Sequence, residues 1–587
     1  MLARLLLAAL PLLAAYLFHR LRYIRFRQYA RFRQAKSSLI WGHMKVLHEF
    51  ILRGKPDRHI GASAFVANNL ERVVAGEASY NRVLLEMSNE LGNPSVFVVD
   101  LRPVGHPMAV ITSHDVAEQV SRATKLFPWS TPKSPTMGSL VHLIGPRSIL
   151  TREDDDWKRL RKRFNPGFAP QHLMTLLPCI LDKTWLFLRH LDGYARTGEE
   201  FPLDKLATNL TFDIIGAVVM DVNFDAQHLD KARQGEFIRL YSELITTYTN
   251  DDGQLPSWLQ PRRAWRRHRL STQIDDLLKH MIRRKYAEQR ASPSAKRSRS
   301  ILTLSLQDTD QLTESLVEDT CDQLKTFLFA GHDTTSILLA WMFYELSRTP
   351  RALRTVRSEL DDIFGHDPDP AVVRNRLLSE EGEDLVRRMS YSSAVIKEIL
   401  RLHPPAGTAR MSRPGTGFVV RPSQGEDVCL DGLVIYNCAS IIQRDKAVFG
   451  ESANDFVPER WLGDSDTSQA TNAGSEPPSG TLAEKDGHSI PAGAWRPFER
   501  GPRNCIGQEL ANIEARVILA VVARRYDFAK VGLGELVFND EGLPLLNEKG
   551  QYKVKSELYN TRQVTAKPVD GTRMKVKLTP ASSLNLR

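Results

Sequence analysis

Apolar residues along most of this chain recur at helical spacing. Between residues 154 and 348 that periodicity predicts helices over Asp154–Phe164, His172–Leu191, Leu203–Met220, Glu236–Tyr248, Leu270–Gln289 and Gln311–Arg348. Short β patterns are fewer: a hairpin within Phe97–Thr112, and single strands near Gly417–Arg421, Val428–Ile435 and Arg573–Leu578. The pattern predicts a mostly α fold, α+β in class, with small β-sheets.

The amino terminus has a different pattern. Leu5–Phe18 is a run of fourteen residues without a charge, and seven basic residues follow between Arg20 and Lys36. A spanning helix needs ~20 apolar residues, and positive charge beside such a helix tends to stay cytosolic. We predict a single-pass transmembrane signal-anchor over residues 1–19, a basic juxtamembrane linker over 20–60, and a cytosolic catalytic domain over 61–587. The alternative is a cleavable signal peptide.

Composition narrows the class of protein. The 587 residues are 42% hydrophobic and 25% charged, which excludes a disordered chain and a multi-span membrane protein. The net charge of +10 owes much to the basic amino-terminal cluster, so we expect no nucleic-acid binding. Five scattered cysteines exclude a disulfide framework and fit a reducing compartment. Residues 463–489 are rich in Gly, Ser, Thr, Asp and Pro, which predicts a low-complexity surface insertion.

One cysteine has a special setting. The segment Phe498–Gly507 reads FERGPRNCIG, and a helical pattern follows it directly. Flanking glycines permit a tight turn and the close approach of a flat ligand. The helix dipole and Arg503 both favour the thiolate of Cys505, which suits an axial ligand for haem iron. The alternative reading is a buried structural cysteine.

This decapeptide resembles the haem-binding signature Phe-x-x-Gly-x-Arg-x-Cys-x-Gly of the cytochrome P450 superfamily. The resemblance implies a P450-type helical fold preceded by one transmembrane helix. It further implies that Cys505 is the proximal ligand of haem b and that Arg503 contacts a propionate. Phe498, Gly501 and Gly507 complete the implied cofactor loop.

A second motif lies in the middle of the longest predicted helix. Ala330–Thr335 reads AGHDTT within an apolar segment, where glycine and threonine carry a local cost to the helix. The motif resembles the oxygen-activating motif of the same family. The resemblance implies that Asp333 and Thr334 organise proton delivery and that Gly331 leaves room for O2. Alternatively, these residues form a polar patch at a helix crossing.

Four arginines, one glutamate and one tryptophan complete the pattern by resemblance. Glu398 and Arg401 share a helix face, and the family joins them to an arginine of a later motif, here Arg460, in a buried structural triad. Trp157 and Arg161, four residues apart, resemble the family's Trp-x-x-x-Arg, whose polar groups meet haem propionates. Arg410 is a further propionate candidate by position alone.

The resemblance implies a haem-thiolate monooxygenase that activates O2 with electrons from an NADPH-dependent P450 reductase, with cytochrome b5 as a second candidate donor. We expect a monomer in the endoplasmic reticulum membrane that oxidises a hydrophobic small molecule. Candidate pocket residues are Phe127–Leu150, Phe327, Phe329 and Ala406–Ala409.

The style of the cysteine loop and of the carboxyl terminus is similar to filamentous-fungal secondary-metabolism members, which suggests an aromatic polyketide of an aflatoxin-like or sterigmatocystin-like pathway. Two other functions are open. One is a haem-thiolate isomerase or dehydratase that needs no external O2, and the other is a non-catalytic, membrane-tethered haem- or lipid-binding protein.

Overall fold

A computed structural model describes most of the chain. It covers residues 2–53, 80–103, 105–228, 230, 233–249, 260–291, 299–463, 490–562 and 564–579. The predicted insertion, apart from Gly463, and residues 54–60 of the predicted linker lie outside these ranges. The described part is mostly helical with small sheets, as the apolar pattern predicts.

Twenty α-helices occur in the described part of the chain. They are α1 (Leu2–Phe26), α2 (Met44–Arg53), α3 (Tyr80–Glu90), α4 (His114–Ser121), α5 (Val141–Ile144), α6 (Asp154–Phe164), α7 (Pro170–Met174), α8 (Leu177–Thr197), α9 (Leu203–Met220), α10 (Glu236–Thr249), α11 (Pro261–Ala291), α12 (Ile301–Ser305), α13 (Glu314–Arg348), α14 (Pro350–Phe364), α15 (Pro370–Leu377), α16 (Gly382–Arg388), α17 (Ser390–Leu402), α18 (Ala439–Ile442), α19 (Lys446–Phe449) and α20 (Gln508–Val522).

The strands form four small sheets over the described residues. They are β1 (Val96–Val99), β2 (Met108–Ile111), β3 (Phe201–Pro202), β4 (Ala409–Met411), β5 (Val419–Val420), β6 (Val428–Cys429), β7 (Val434–Asn437), β8 (Tyr526–Lys530), β9 (Asn560–Arg562), β10 (Ala566–Pro568) and β11 (Arg573–Leu578). The largest sheet has the order β1-β2-β7-β4, and β1 pairs with β2 antiparallel, which confirms the predicted hairpin. A three-stranded sheet has the order β3-β11-β8, and the pairs β5-β6 and β9-β10 are separate.

The 35-residue helix α13 occupies the centre of the domain. The Thr313 side chain caps its amino terminus by accepting a hydrogen bond from the Leu316 amide, and Pro350 follows its end. Every residue from Thr320 to Leu346 is buried except Ala330, Gly331 and Thr334. Helices α9, α11, α17 and α20 all pack against it. The main hydrophobic core therefore forms around this helix.

Two predicted helices differ from the observed ones. The pattern over His172–Leu191 corresponds to α7 and α8, with a break just before Pro178 in the first turn of α8. Proline lacks an amide hydrogen and disfavours helical geometry in the preceding residue, so the helix must restart there. Helix α11 begins at Pro261, well before the predicted start at Leu270. The apolar pattern does not predict these first turns because they are basic and lack apolar periodicity.

The carboxyl end of α1 is held against the first hairpin by a buried arginine. The Arg25 guanidinium is buried and pairs with Asp100 at 2.6 Å, and it also donates to the carbonyls of Ile40 and Arg102. Gly42 lies beside this pair at φ +54°, where a Cβ would come within 2.5 Å of the Asp100 carbonyl oxygen. The close approach therefore requires glycine.

The predicted membrane anchor coincides with the first part of α1. Over the part of the chain that the structure describes, no helix combines the length and the hydropathy needed to cross a membrane. The side chains of residues 2–10 lie outside that part. The anchor over residues 1–19 stays a prediction.

The Glu398 carboxylate joins α17 to the segment that precedes the insertion. It accepts hydrogen bonds from Arg401 at 2.8 Å, from Arg460 at 3.1 Å and from the Trp461 indole at 2.9 Å. Glu398 and Arg401 have no exposed surface. Burial alone would raise the pKa of Glu398, but the two guanidinium groups outweigh it and lower this pKa below its usual value.

Replacing Glu398 by Gln should destabilise the fold strongly. Removal of one partner of a buried ion pair costs about 3–5 kcal/mol because the other charges stay buried. The matched control is Glu451→Gln, which breaks the ion pair between Glu451 and Lys446. The Glu451 side chain is 88% exposed, so we expect this variant to lose less than about 1 kcal/mol of folding free energy. Denaturant titration measures both, and equal losses would contradict a stabilising role for the triad.

Candidate active site

The segment 498–507 forms a tight loop that ends at the start of α20. The Cys505 amide donates to the Phe498 carbonyl at 2.9 Å. Gly501 adopts φ +76°, and a Cβ there would come within 2.1 Å of the Ser121 carbonyl oxygen. Only glycine can therefore occupy position 501 while the loop rests on α4. A Cβ at Gly507 would lie 3.9 Å from the Cys505 sulfur, an ordinary contact.

The Cys505 side chain combines accessible surface with closely packed surroundings. The residue is exposed, yet protein surrounds it closely enough for burial to raise the pKa of its thiol. The sulfur is therefore open to a ligand while the loop still packs around it. The Gly507 amide and the positive charges of Arg161 and Lys133 act in the opposite direction and favour the thiolate.

Positive charge is concentrated near this loop. Burial, together with the charges of Arg410 and Arg503, lowers the pKa of Lys133 well below its usual value. Burial lowers the pKa of Arg410 to about 10. Arg503 pairs with Glu153, and burial raises the pKa of that carboxyl. Lys133 and Arg410 form no ion pair within the described residues.

Arg410 is the least satisfied of these cations. Its Nη1 donates to the Thr131 carbonyl at 2.9 Å, but its Nε and Nη2 are buried and have no hydrogen-bond partner among the described residues. Leaving such donors unpaired is costly, so the arrangement calls for an anion.

Trp157 and Arg161 both contact the cysteine loop from α6. The Arg503 guanidinium lies over the Trp157 ring, 5.2 Å from its centroid. Arg161 donates to the backbone carbonyl of Asn504 at 2.8 Å and to its side-chain oxygen at 3.0 Å. The structure thus brings Cys505, Arg503, Arg410, Trp157 and Arg161 into one region.

Helix α13 exposes a small patch at its midpoint. Ala330, Gly331 and Thr334 share one face and keep accessible surface in a helix that is otherwise buried from Thr320 to Leu346. The Thr334 hydroxyl donates to the Ala330 carbonyl at 2.7 Å. Asp333 points elsewhere and pairs with Lys567 at 2.7 Å. The two residues predicted to deliver protons therefore have different partners.

The absence of a side chain at Gly331 has a structural reason. A Cβ at this position would come within 2.6 Å of the Ile215 side chain on α9. The missing side chain therefore lets α9 approach α13, and the room for O2 beside Gly331 stays a prediction.

The structure places two of the predicted pocket residues in the hydrophobic core instead. The Phe327 ring packs edge-on against Phe164 and Phe168, with both centroid distances 5.1 Å, and Phe329 packs near the His332 ring. Both side chains belong to the buried core. A helix buried on all sides presents aromatic residues to other helices as well as to a ligand, so the sequence alone does not separate the two cases.

Lys133 and Lys567 are the main site residues that the sequence analysis missed. Each lies far along the chain from the groups that it faces, and neither belongs to a recognisable spacing. A single lysine carries no local signal of burial, because lysine side chains are normally exposed.

The residues present fit a haem group. An accessible cysteine can supply a thiolate ligand for iron, and the surplus of buried cations calls for anions such as the two propionates. Lys133, Arg410, Arg503 and Arg161 are the cations available to hold them. The unpartnered donors of Arg410 carry this assignment.

The sequence model of the cytochrome P450 family matches residues 77–555, and the chain therefore belongs to the cytochrome P450 family. It is similar to the cytochrome P450 monooxygenase acrF of Aspergillus aculeatus, at 32% identity over 76% of this chain and 86% of the relative. It is also similar to the cytochrome P450 monooxygenase polC of Polytolypa hystricis, at 30% identity over 74% of this chain and 73% of that relative.

A third relative is a bifunctional cytochrome P450/NADPH–P450 reductase of Gibberella moniliformis. It is 28% identical over 57% of this chain and 27% of its own length. The chain is accordingly a cytochrome P450 monooxygenase. Such an enzyme uses haem b, O2 and NADPH-derived electrons that a reductase delivers.

Replacing Lys133 by Gln should affect the haem-free and haem-loaded proteins in opposite directions. Without haem, the variant should melt at the same or a higher temperature, because a buried charge and its repulsion by Arg410 and Arg503 are removed. With haem, affinity should fall roughly 10-fold or more, since a hydrogen bond to a charged group is worth about 1.5–3 kcal/mol. Transfer of haem to an acceptor protein measures the second effect.

The control for this test is Lys125→Gln, which removes an exposed lysine nearby in the chain. It should change neither melting nor haem transfer. A Lys133→Gln variant that loses stability without haem and retains haem like the wild type would contradict the assignment.

Proposed function

We propose that the enzyme oxidises a hydrophobic small molecule, with Cys505 as the iron ligand and Thr334 and Asp333 as its proton-handling residues. The observation that carries the proposal is the accessible patch of Ala330, Gly331 and Thr334 at the centre of an otherwise buried helix. Helix α13 packs against α20, which directly follows Cys505. The two halves of the site are therefore parts of neighbouring helices.

The protein's contribution to the reaction follows from these residues. When bound through a thiolate, haem supplies the redox chemistry that activates O2. The Gly507 amide and Arg161 favour the thiolate form of Cys505. The Thr334 hydroxyl is the polar group on the accessible face of α13 and can donate a hydrogen bond once it leaves the Ala330 carbonyl. Burial of the surrounding helix keeps bulk water away.

The electron donor that we propose is a separate NADPH–cytochrome P450 reductase. The fusion of both activities in the Gibberella moniliformis relative supports this partner. Cytochrome b5 as a second donor and a monomeric state are further parts of the proposal. The residues at the site favour no particular substrate, so an aromatic polyketide stays a prediction.

We also propose that the protein is a single-pass endoplasmic reticulum membrane protein with a cytosolic catalytic domain. Leu12, Leu13, Tyr16 and Leu17 on α1 are each more than half exposed, which is costly in water and favourable in lipid. The basic residues that follow support the cytosolic orientation.

Replacing Thr334 by Ala should uncouple NADPH oxidation from product formation. The assay contains added reductase and a ligand that is selected from hydrophobic aromatic compounds by its effect on haem absorption. We expect NADPH oxidation to continue in the variant. Product formed per NADPH should fall roughly 10- to 100-fold, with hydrogen peroxide released instead. Folding should change little, because the hydroxyl bonds only within its own helix.

The matched control is Thr184→Ala, a threonine whose hydroxyl also donates four residues back, here to the Ile180 carbonyl at 2.8 Å. It should leave coupling unchanged. The Cys505→Ala variant should lose both NADPH-dependent O2 consumption and the thiolate-type absorption of the reduced CO complex. Product formation without any O2 consumption would favour the isomerase or dehydratase alternative, and unchanged coupling in Thr334→Ala would remove this residue from the mechanism.

Deleting residues 2–19 should release the protein from membranes without unfolding it. The deletion removes the exposed apolar side chains of α1 but retains Arg25 and its pair with Asp100. A longer deletion through residue 36 should also lower the melting temperature, because Asp100 would lose a buried partner. Sedimentation with membranes and thermal melting measure the two effects. Continued sedimentation of the shorter variant would contradict the proposed anchor.

A further inference from the structure

Two groups near the carboxyl end of the chain hold the Asp333 side chain. The Lys567 ammonium lies 2.7 Å from one carboxylate oxygen, and the Thr565 hydroxyl donates to the other. Burial alone would raise the pKa of Asp333, but the Lys567 charge and these hydrogen bonds lower it below its usual value. Asp333 is therefore a carboxylate at neutral pH.

This ion pair separates Asp333 from its neighbour in the chain. The Thr334 hydroxyl donates to the Ala330 carbonyl, and both Asp333 oxygens are held by residues of the segment 565–567. A proton can pass from the acid to the alcohol only after the carboxylate is protonated and leaves Lys567. Proton supply through Asp333, as proposed above, therefore requires that this carboxylate be released from Lys567.

A second carboxylate lies within the field of the same lysine. Asp204 is in the first turn of α9, and its Oδ1 is buried and has no hydrogen-bond partner among the described residues. Burial raises the pKa of Asp204, and Lys567 acts against this rise. The Lys567 side chain keeps 17% of its surface exposed, so it also reaches solvent.

We propose that Lys567 is the positioning residue for proton supply, shared between Asp333 and Asp204. In the resting state of this proposal, Lys567 holds Asp333 as a carboxylate, and the proton is on Asp204, whose Oδ1 is buried and has no hydrogen-bond partner among the described residues. In the exchanged state, Lys567 holds Asp204, and Asp333 is protonated and free to bond to Thr334. This inference rests on the proposed role of Asp333 in the reaction.

The exchange conserves charge and protons. Lys567 gives one of its protons to the Asp333 carboxylate and receives the Asp204 proton, so the lysine stays an ammonium group. The negative charge moves from Asp333 to Asp204, so one ammonium, one carboxylate and one carboxylic acid are present before and after the exchange. Once Asp333 has passed its proton on through Thr334, solvent returns a proton to Asp204, and Lys567 pairs with the Asp333 carboxylate again.

Other charged or titratable groups around Asp333 are consistent with a single negative charge. The His332 imidazole lies 4.0 Å from Asp333, and burial lowers the pKa of this histidine, which keeps it neutral. The Tyr241 hydroxyl on α10 is buried, and burial together with the Asp333 charge raises its pKa, so it stays protonated. Lys567 is thus the cation that determines the charge of Asp333.

Infrared spectroscopy of the haem-free full chain tests the resting state directly. At neutral pH, Asp204→Asn should lose the carbonyl stretch of one protonated carboxyl group. Lys567→Met should gain such a band, because Asp333 loses its cation and burial then favours the neutral acid. The band gained in Lys567→Met should vanish when Asp333→Asn is added. Neither measurement depends on haem or on turnover.

Measurements of turnover test the exchange itself. With reductase and a bound ligand, Asp204→Asn should lower the rate of product formation roughly 10-fold and increase the solvent isotope effect. The reason is that the asparagine cannot supply the proton that Asp333 needs. Lys567→Met should flatten the dependence of coupling on pH, and Lys567→Arg, which keeps the charge, should restore part of it.

The matched control is Lys530→Met, which breaks another buried lysine–aspartate pair, with Asp570 at 2.5 Å, outside the proposed site. It should lower stability and leave the isotope effect unchanged. The inference is overturned if Asp204→Asn retains the infrared band or the wild-type isotope effect, or if Lys567→Met gains no band. If coupling in Thr334→Ala is unchanged while the infrared changes occur, the proposed function fails and the shared lysine stands.

Discussion

Burial of the 35-residue helix α13 is the constraint on which the rest of the structure depends. A buried helix that carries charged and polar side chains must find a partner for each, or lose the stability gained from its apolar faces. The partners come from different parts of the chain: the Arg147 amide for Asp322, Asp275 for Lys325, Lys567 for Asp333 and His403 for Glu345. These pairs fix a loop, a helix and a strand around the centre of the domain.

The cysteine loop follows a different physical rule. In the triad around Glu398, the Arg401 and Arg460 donors that the carboxylate does not take bond to nearby carbonyl and hydroxyl oxygens, whereas Arg410 beside Cys505 keeps two buried donors without a partner among the described residues. The first arrangement is complete as it stands, and the second fits a bound anion. This contrast separates cations that hold the fold from cations that would hold a cofactor, although both kinds are buried.

Much of the fold was predictable because local signals agree with the tertiary structure. Helix α9 has the predicted bounds, since its apolar positions and its packing against α13 call for the same helix. The cysteine loop was predictable because Gly501 and Cys505 lie close together in a short pattern. Lys133, Lys567 and the core position of Phe327 were not, because each is defined by contacts with residues distant in the chain.

The buried Arg25 makes the joint between α1 and the catalytic domain stiff. Four hydrogen bonds from one guanidinium hold the end of this helix against the first hairpin, so the angle between the helix axis and the domain is a property of the fold. A helix in lipid adjusts its tilt to bilayer thickness. If α1 lies in lipid as proposed, the stiff joint would pass such a change of tilt to the whole catalytic domain, and the thickness of the membrane would set how this domain is oriented to the bilayer surface.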